Sequence, residues 1–211
     1  MNKTVLAGQQ LQCIRDERIL FDQLSFQVHA GEILQIEGRN GSGKTSLLRI
    51  LCGLALPSEG EVLWCGQSIE RAANEFRSEL IYVGHYPGVK ADLTPLENLA
   101  FVRSLTAQSQ AISDEQALAQ FGLYGFEDVP TRTLSAGQQR RVALARLFVR
   151  QAQVWILDEP FTSLDKTAIK MLEQLIDNHA QSGGLVVLTS HHPVHCPKTP
   201  VLTLDLNASL G

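Results

Sequence analysis

The chain has 211 residues, 44% of them hydrophobic and 19% charged, enough apolar material for one sizeable core or two small ones. A net charge of -4 at pH 7 excludes a chain-wide positive field that would gather nucleic acid or anionic lipid non-specifically. The four cysteines (Cys13, Cys52, Cys65, Cys196) have no CxxC spacing, which predicts reduced thiols rather than a disulfide scaffold.

From the N-terminus, MNKTVLAGQQLQC turns polar at Gln9, Gln10 and Gln12, which breaks the apolar stretch of a signal peptide and leaves the chain expected in the cytosol. No apolar run approaches the roughly 18 to 20 residues that span a bilayer, so any service to a membrane is expected from a peripheral subunit. Residues 19–21, 24–28 and 33–36 read as short strands of a β-rich lobe. The last of them runs into Gly38-Arg39-Asn40-Gly41-Ser42-Gly43-Lys44-Thr45, followed by a helical pattern from Ser46 to Cys52 that stops at Gly53. Strand, GxxxxGK[ST] and helix in this order form a phosphate-binding loop. Its glycines let backbone N–H groups close on phosphate oxygens, Lys44 reaches the β and γ phosphates, and Thr45 offers a hydroxyl to Mg²⁺.

Residues 61–65 and 80–83 are further strand candidates, after which the chain turns helix-rich. Thr94-Pro95-Leu96-Glu97 is a capping box with proline at the first helical position, and Ser113 to Gln116 is a second one. Ser135 and Gln138 share that spacing within Leu134-Ser135-Ala136-Gly137-Gln138, so a helix opens there with its N–H groups and dipole favouring an anion. Arg140, Arg141, Arg146 and Arg150 on that helix are expected as a solvated, partly ion-paired face rather than a nucleic-acid stripe. Strand patterns return at 154–157, 185–189 and 201–206, with a helix at 166–180, which predicts a mostly parallel sheet with crossover helices. The apolar strand at 154–157 ends in Asp158-Glu159, where open α/β sheets place ligands. Asp158 is the candidate to hold Mg²⁺ directly or through water, and Glu159 the candidate to polarise an attacking water.

With these motifs in place, LSAGQ at 134–138 resembles the LSGGQ signature of the ABC ATPase family. The resemblance spans about residues 3 to 206. It implies an α/β P-loop core with an N-terminal antiparallel β lobe, one domain over residues 1–211, and a helical subdomain at about 88–150. It also implies two ATP molecules sandwiched head to tail between two copies, with Ser135, Ala136, Gly137 and Gln138 of one facing the γ-phosphate on the other. Asp165 in Ser163-Leu164-Asp165 resembles the D-loop, and His191 after LVVLTS resembles the histidine that contacts the γ-phosphate.

Two positions depart from the family pattern. Gly84-His85 stands where a glutamine usually follows the strand, and Arg15 stands where an aromatic usually stacks on adenine. A neutral His85 nitrogen can accept from water or coordinate a metal but lacks an amide's fixed donor and acceptor, while a planar guanidinium can stack on a base. The run from Gly84 to Lys90, then LTPLENL at 93–99 and LSAGQQRRVALARL at 134–147, is similar to the haem exporter ATP-binding subunits of bacterial cytochrome c biogenesis. That similarity implies ATPase activity with ATP and Mg²⁺, integral membrane transporter subunits as partners, a place on the cytoplasmic side of the inner membrane, and haem or a haem chaperone met only through the complex. Another ABC exporter, or a soluble non-transport ABC ATPase, is the competing reading. His191, His192, His195 and Cys196 have ligand chemistry for zinc or haem iron, but two prolines and unsuitable spacing argue against a closed metal site.

Overall fold

The computed structural model describes residues 5–105 and 112–207. Residues 106–111, part of the expected helical subdomain, lie outside that description. Two sheets organise the chain. The first is antiparallel with order β2-β1-β4-β5, formed by β1 (Val5–Arg15), β2 (Arg18–His29), β4 (Glu59–Trp64) and β5 (Gln67–Ser68). Residues 19–21 and 24–28, expected as separate strands, belong to one continuous β2. The break between them is absorbed by Gln23 at φ 47 and by register shifts against β1, so pairing resumes beyond it.

The second sheet has order β6-β7-β8-β3-β9, every neighbouring pair parallel. Its strands are β3 (Ile33–Glu37), β6 (Leu80–Val83), β7 (Val154–Asp158), β8 (Leu185–Thr189) and β9 (Val201–Asp205). All five residues of β7 and of β8 are buried, the continuous apolar run that a strand covered on both faces requires. Alternation along the strands divides them between two cores. Trp155, Leu157, Val186 and Leu188 pack with α5 (Ala136–Val149) and α6 (Lys166–Gln181), while Val154, Ile156, Leu185 and Val187 pack with α1 (Lys44–Leu51) and the antiparallel sheet.

The helices start where the caps predict. The Thr94, Ser113 and Ser135 boxes all close, opening α3 (Pro95–Ser104), α4 (Asp114–Gln120) and α5, since each hydroxyl accepts one of the free N–H groups of the first turn. Asn98, buried on α3, donates to Thr131 Oγ1 and to the Thr94 and Lys90 carbonyls and accepts from Lys90 N–H, fixing the segment that leaves β6. The short α2 (Ala73–Ser78) has no sequence signature, because Ala72 supplies no side-chain cap and only Phe76 is buried. Consequently β3, β6, β7 and β8 all discharge their C-terminal ends into one region, where the charged and glycine-rich segments meet.

Candidate active site

The loop after β3 is shaped by glycine. Gly43 takes φ 99, and a Cβ there would lie 3.0 Å from Leu20 Cβ and 3.2 Å from the Phe21 ring, so a side chain would meet both strain and β2. Gly41, at φ 80, has open space around it, and its requirement is conformational alone. Lys44 Nζ donates to the Gly38 and Arg39 carbonyls at 2.6 and 3.2 Å, folding back over the loop that it would share with phosphates. Ser42 Oγ is buried and finds no hydrogen-bond partner among the described residues, which fits an oxyanion seated in the loop.

Asp158 is the anchor of the site. It is 1% exposed, and its two oxygens accept from Thr45 Oγ1 at 2.9 Å and Thr189 Oγ1 at 2.8 Å. A hydroxyl and a buried carboxylate in contact are hard oxygen donors of the type that Mg²⁺ accepts together with water and phosphate oxygens. Glu159 follows at φ 49, a region that costs a non-glycine residue about 1–2 kcal/mol. Its N–H donates to Thr189 Oγ1 at 2.9 Å, its Oε2 accepts from His191 N–H at 3.3 Å, and its Oε1 lies 3.5 Å from His191 Nε2 and makes no hydrogen bond among the described residues. Asn40, Gly41, Gly43, Lys44, Thr45, His85, Asp158, Glu159, Thr162 and His191 line one open cavity of about 440 Å³. His85 therefore stands in the same cavity as the candidate base and the lysine of the glycine loop.

The helix after the signature differs from expectation. Arg140 is not solvated: it is 4% exposed and donates to the carbonyls of Gly84, Asp158 and Glu159 at 2.6, 2.8 and 2.7 Å. Burial lowers its pKa, opposed by Asp158 and Glu159, but a guanidinium remains cationic. Arg146 donates to Pro87 O at 2.9 Å and is turned inward, while the partly exposed Arg150 donates to Arg77 O at 2.6 Å. Arg141 alone of the four keeps to the expected ion pairing, with Asp165 at 2.6 Å. Arginines at these spacings look like an exposed amphipathic face, whereas carbonyls distant in sequence are what Arg140, Arg146 and Arg150 reach.

Several expected site residues lie elsewhere. Arg15 is exposed at the end of β1, paired with Arg18 across the Asp16-Glu17 turn, while Leu20 and Phe21 of β2 are what meet Gly43. Asp165 caps α6 through Ala168 N–H at 2.9 Å, and that bond, with Arg141, holds its carboxyl below the usual range. Ser135, Ala136, Gly137 and Gln138 lie outside the lining of the cavity, and a Cβ on Gly137 would come within 2.7 Å of Ser163 O. The histidine run diverges: His191 faces Glu159, His192 Nε2 lies 3.6 Å from Glu173, and Cys196 is buried with its thiol pushed up to about 12 by desolvation. Among the described residues no group of three or more His, Cys, Asp or Glu is placed to hold a metal. Thr189 and Arg140 are the organising residues that sequence reasoning missed. Thr189 carried a signal, as a polar residue ending an otherwise apolar buried strand.

A glycine loop, its lysine, a threonine–aspartate pair and a second carboxylate at the exits of a parallel sheet define a phosphate-loop nucleotide hydrolase. Residues 21–162 match the family model described as ABC transporter. The chain belongs to the ABC transporter family and is an ATPase of that family. It is 52% identical over 194 residues to the cytochrome c biogenesis ATP-binding export protein of Hahella chejuensis, covering 90% of each chain. It is 48% identical over 202 residues to the protein of the same name in Escherichia coli K12, covering 96% of each. A putative ABC transporter ATP-binding protein from Pyrococcus furiosus superposes with a TM-score of 0.80 at 22% identity, over 97% of this chain and 98% of that one. A dimeric bacterial ABC transporter cassette superposes with a TM-score of 0.78 at 23% identity, over 95% and 94%. Both neighbours share the ABC ATPase fold of two sheets with flanking helices.

Proposed function

We propose that the chain binds MgATP in the cavity between the glycine loop and β7 and hydrolyses it with Glu159 as general base. The observation that carries this is Glu159 Oε1, a buried carboxylate oxygen that makes no hydrogen bond among the described residues and lies 3.5 Å from His191 Nε2, in the cavity with Lys44, Thr45 and His85. A water held by Glu159 gives up its proton to the carboxylate as its oxygen bonds to the γ-phosphorus, and the bond to the ADP oxygen breaks. Thr45 and Asp158 are the residues that would hold Mg²⁺, whose charge offsets that of the phosphates. Lys44, the loop N–H groups and Ser42 bind the phosphate oxygens, and His191 orients Glu159 or reads the γ-phosphate. His85 and Arg15 complete the reading, toward the γ-phosphate and the adenine.

The signature segment lies outside the cavity of its own chain, which supports a head-to-tail pair in which Ser135 to Gln138 of a second copy close the site. A solved neighbour of the same fold is itself dimeric. In this reading ATP closes the pair and hydrolysis opens it, and the helical subdomain at about 88–150 passes that motion to integral membrane subunits on the cytoplasmic side of the bacterial inner membrane. The names of the relatives support a role in cytochrome c biogenesis, with haem or release of a haem-loaded chaperone as the coupled event. The test is Lys44→Ala as the sole copy in its host: ATP turnover and holo-cytochrome c are both expected to be lost. Normal holo-cytochrome c in that strain removes the haem assignment and leaves the ATPase one standing.

A further inference from the structure

Arg140 presents a geometry that packing alone does not require. β6 and β7 pair in parallel as far as Val83 and Leu157, and the chain then leaves both strands side by side. The carbonyls just past that point are Gly84 and His85 on one side, Asp158 and Glu159 on the other. Arg140 bonds all four with its two terminal nitrogens, Nη1 to Gly84 O at 2.6 Å and His85 O at 3.4 Å, Nη2 to Asp158 O at 2.8 Å and Glu159 O at 2.7 Å. Glu159 is thereby pinned in its left-handed conformation at both ends, its N–H by Thr189 and its C=O by Arg140 and by Thr162 N–H at 3.3 Å. Without the guanidinium, the Glu159 carbonyl keeps only the longer Thr162 bond beside the Thr189 tether on its N–H, which weakens the restraint on the left-handed peptide and on the direction of its carboxylate. Arg140 also sits little more than one helical turn beyond Ser135, the cap of α5.

We infer that Arg140 is a positioning residue that ties the His85 loop and the signature helix of its own chain to the backbone of Glu159. A shift at the Ser135 end of α5 then reaches the base of the same chain through one buried side chain. This rests on Glu159 being the base, and the test separates the two claims.

Full-length Arg140→Lys and Arg140→Met proteins are assayed for kcat, KM for ATP, affinity for a fluorescent ATP analogue and thermal melting, each alone and combined with Glu159→Gln. Arg140→Lys keeps the charge and the stem but loses the fork, and kcat is expected to fall about tenfold or more while KM and analogue affinity stay within about twofold. Arg140→Met should fall further. Combined with Glu159→Gln, either change should add no further loss, since the group through which Arg140 acts is already disabled. A purely structural role would instead lower melting temperature and active fraction without this split. Folded variants with wild-type kcat, or losses that multiply with that of Glu159→Gln, overturn the inference. Wild-type turnover by Glu159→Gln itself removes the base assignment and this inference with it. If Arg140→Met does not fold, Arg140→Lys decides alone.

Discussion

Glu159 accepts the His191 backbone N–H on one carboxylate oxygen, and the other, 3.5 Å from His191 Nε2, is the proposed acceptor of a proton from water. Glu159→Gln keeps the shape and the backbone contacts but removes the proton acceptor, so hydrolysis should fall by about two orders of magnitude or more with nucleotide binding preserved. Single-turnover ATPase assays alongside gel filtration with ATP check this, the expected product being an ATP-loaded dimer that persists. Near wild-type turnover would show that another group takes the proton. Gly137 shows how a residue can serve two purposes. A bare glycine suits close approach to a phosphate, yet here its lack of a Cβ also lets the Ser163 carbonyl approach. A side chain at 137 therefore disturbs the turn before α6 whatever it does to nucleotide, which makes this position a poor probe of the shared site.

At the scale of elements, α6 is joined to β7 by an aromatic stack, His179 on Trp155 with ring centroids 3.7 Å apart and planes 6° from parallel. Burial pushes the His179 pKa from 6.5 down to about 4, only partly opposed by hydrogen bonding to the Gln153 and Leu185 backbone. The folded value lies below the unfolded one, so the unfolded chain takes up the proton first as pH falls. The contribution of the neutral ring is complete above pH 6.5 and is lost progressively down to about pH 4. At ~1.4 kcal/mol per unit the loss is ~3.5 kcal/mol at most. His179→Asn should be less stable than wild type at pH 7.5, and its melting temperature should decline less steeply between pH 6.5 and 4. Parallel decline of the two proteins in pH-dependent melts would mean that the ring is not held neutral.

For the whole molecule, the open question is whether one site is built from two chains. Ser135→Asp is the better lesion here, because aspartate is itself a good helix cap and preserves α5, while placing a negative charge where the head-to-tail pair puts the γ-phosphate. Lys44→Ala and Ser135→Asp homodimers should each be inactive. A mixture should regain measurable ATP hydrolysis, since one interface in a heterodimer pairs an intact Lys44 with an intact Ser135. The rate stays below half of wild type if the two sites are strictly coupled. Heterodimers demonstrated by differential tags that remain inactive would rule out the head-to-tail arrangement.

Local chemistry made much of this legible in the sequence. The glycine loop, the three capping boxes and the buried apolar strands ending in Asp158-Glu159 depend on neighbours within a few residues, and each formed where its spacing predicts. What tertiary structure alone decided involves partners far apart in the chain: Thr189 on Asp158, Leu20 and Phe21 against Gly43, and Arg140 across two strand exits. An arginine reads as surface because a buried cation is costly, and only the convergence of four backbone carbonyls at the ends of adjacent parallel strands reverses that preference.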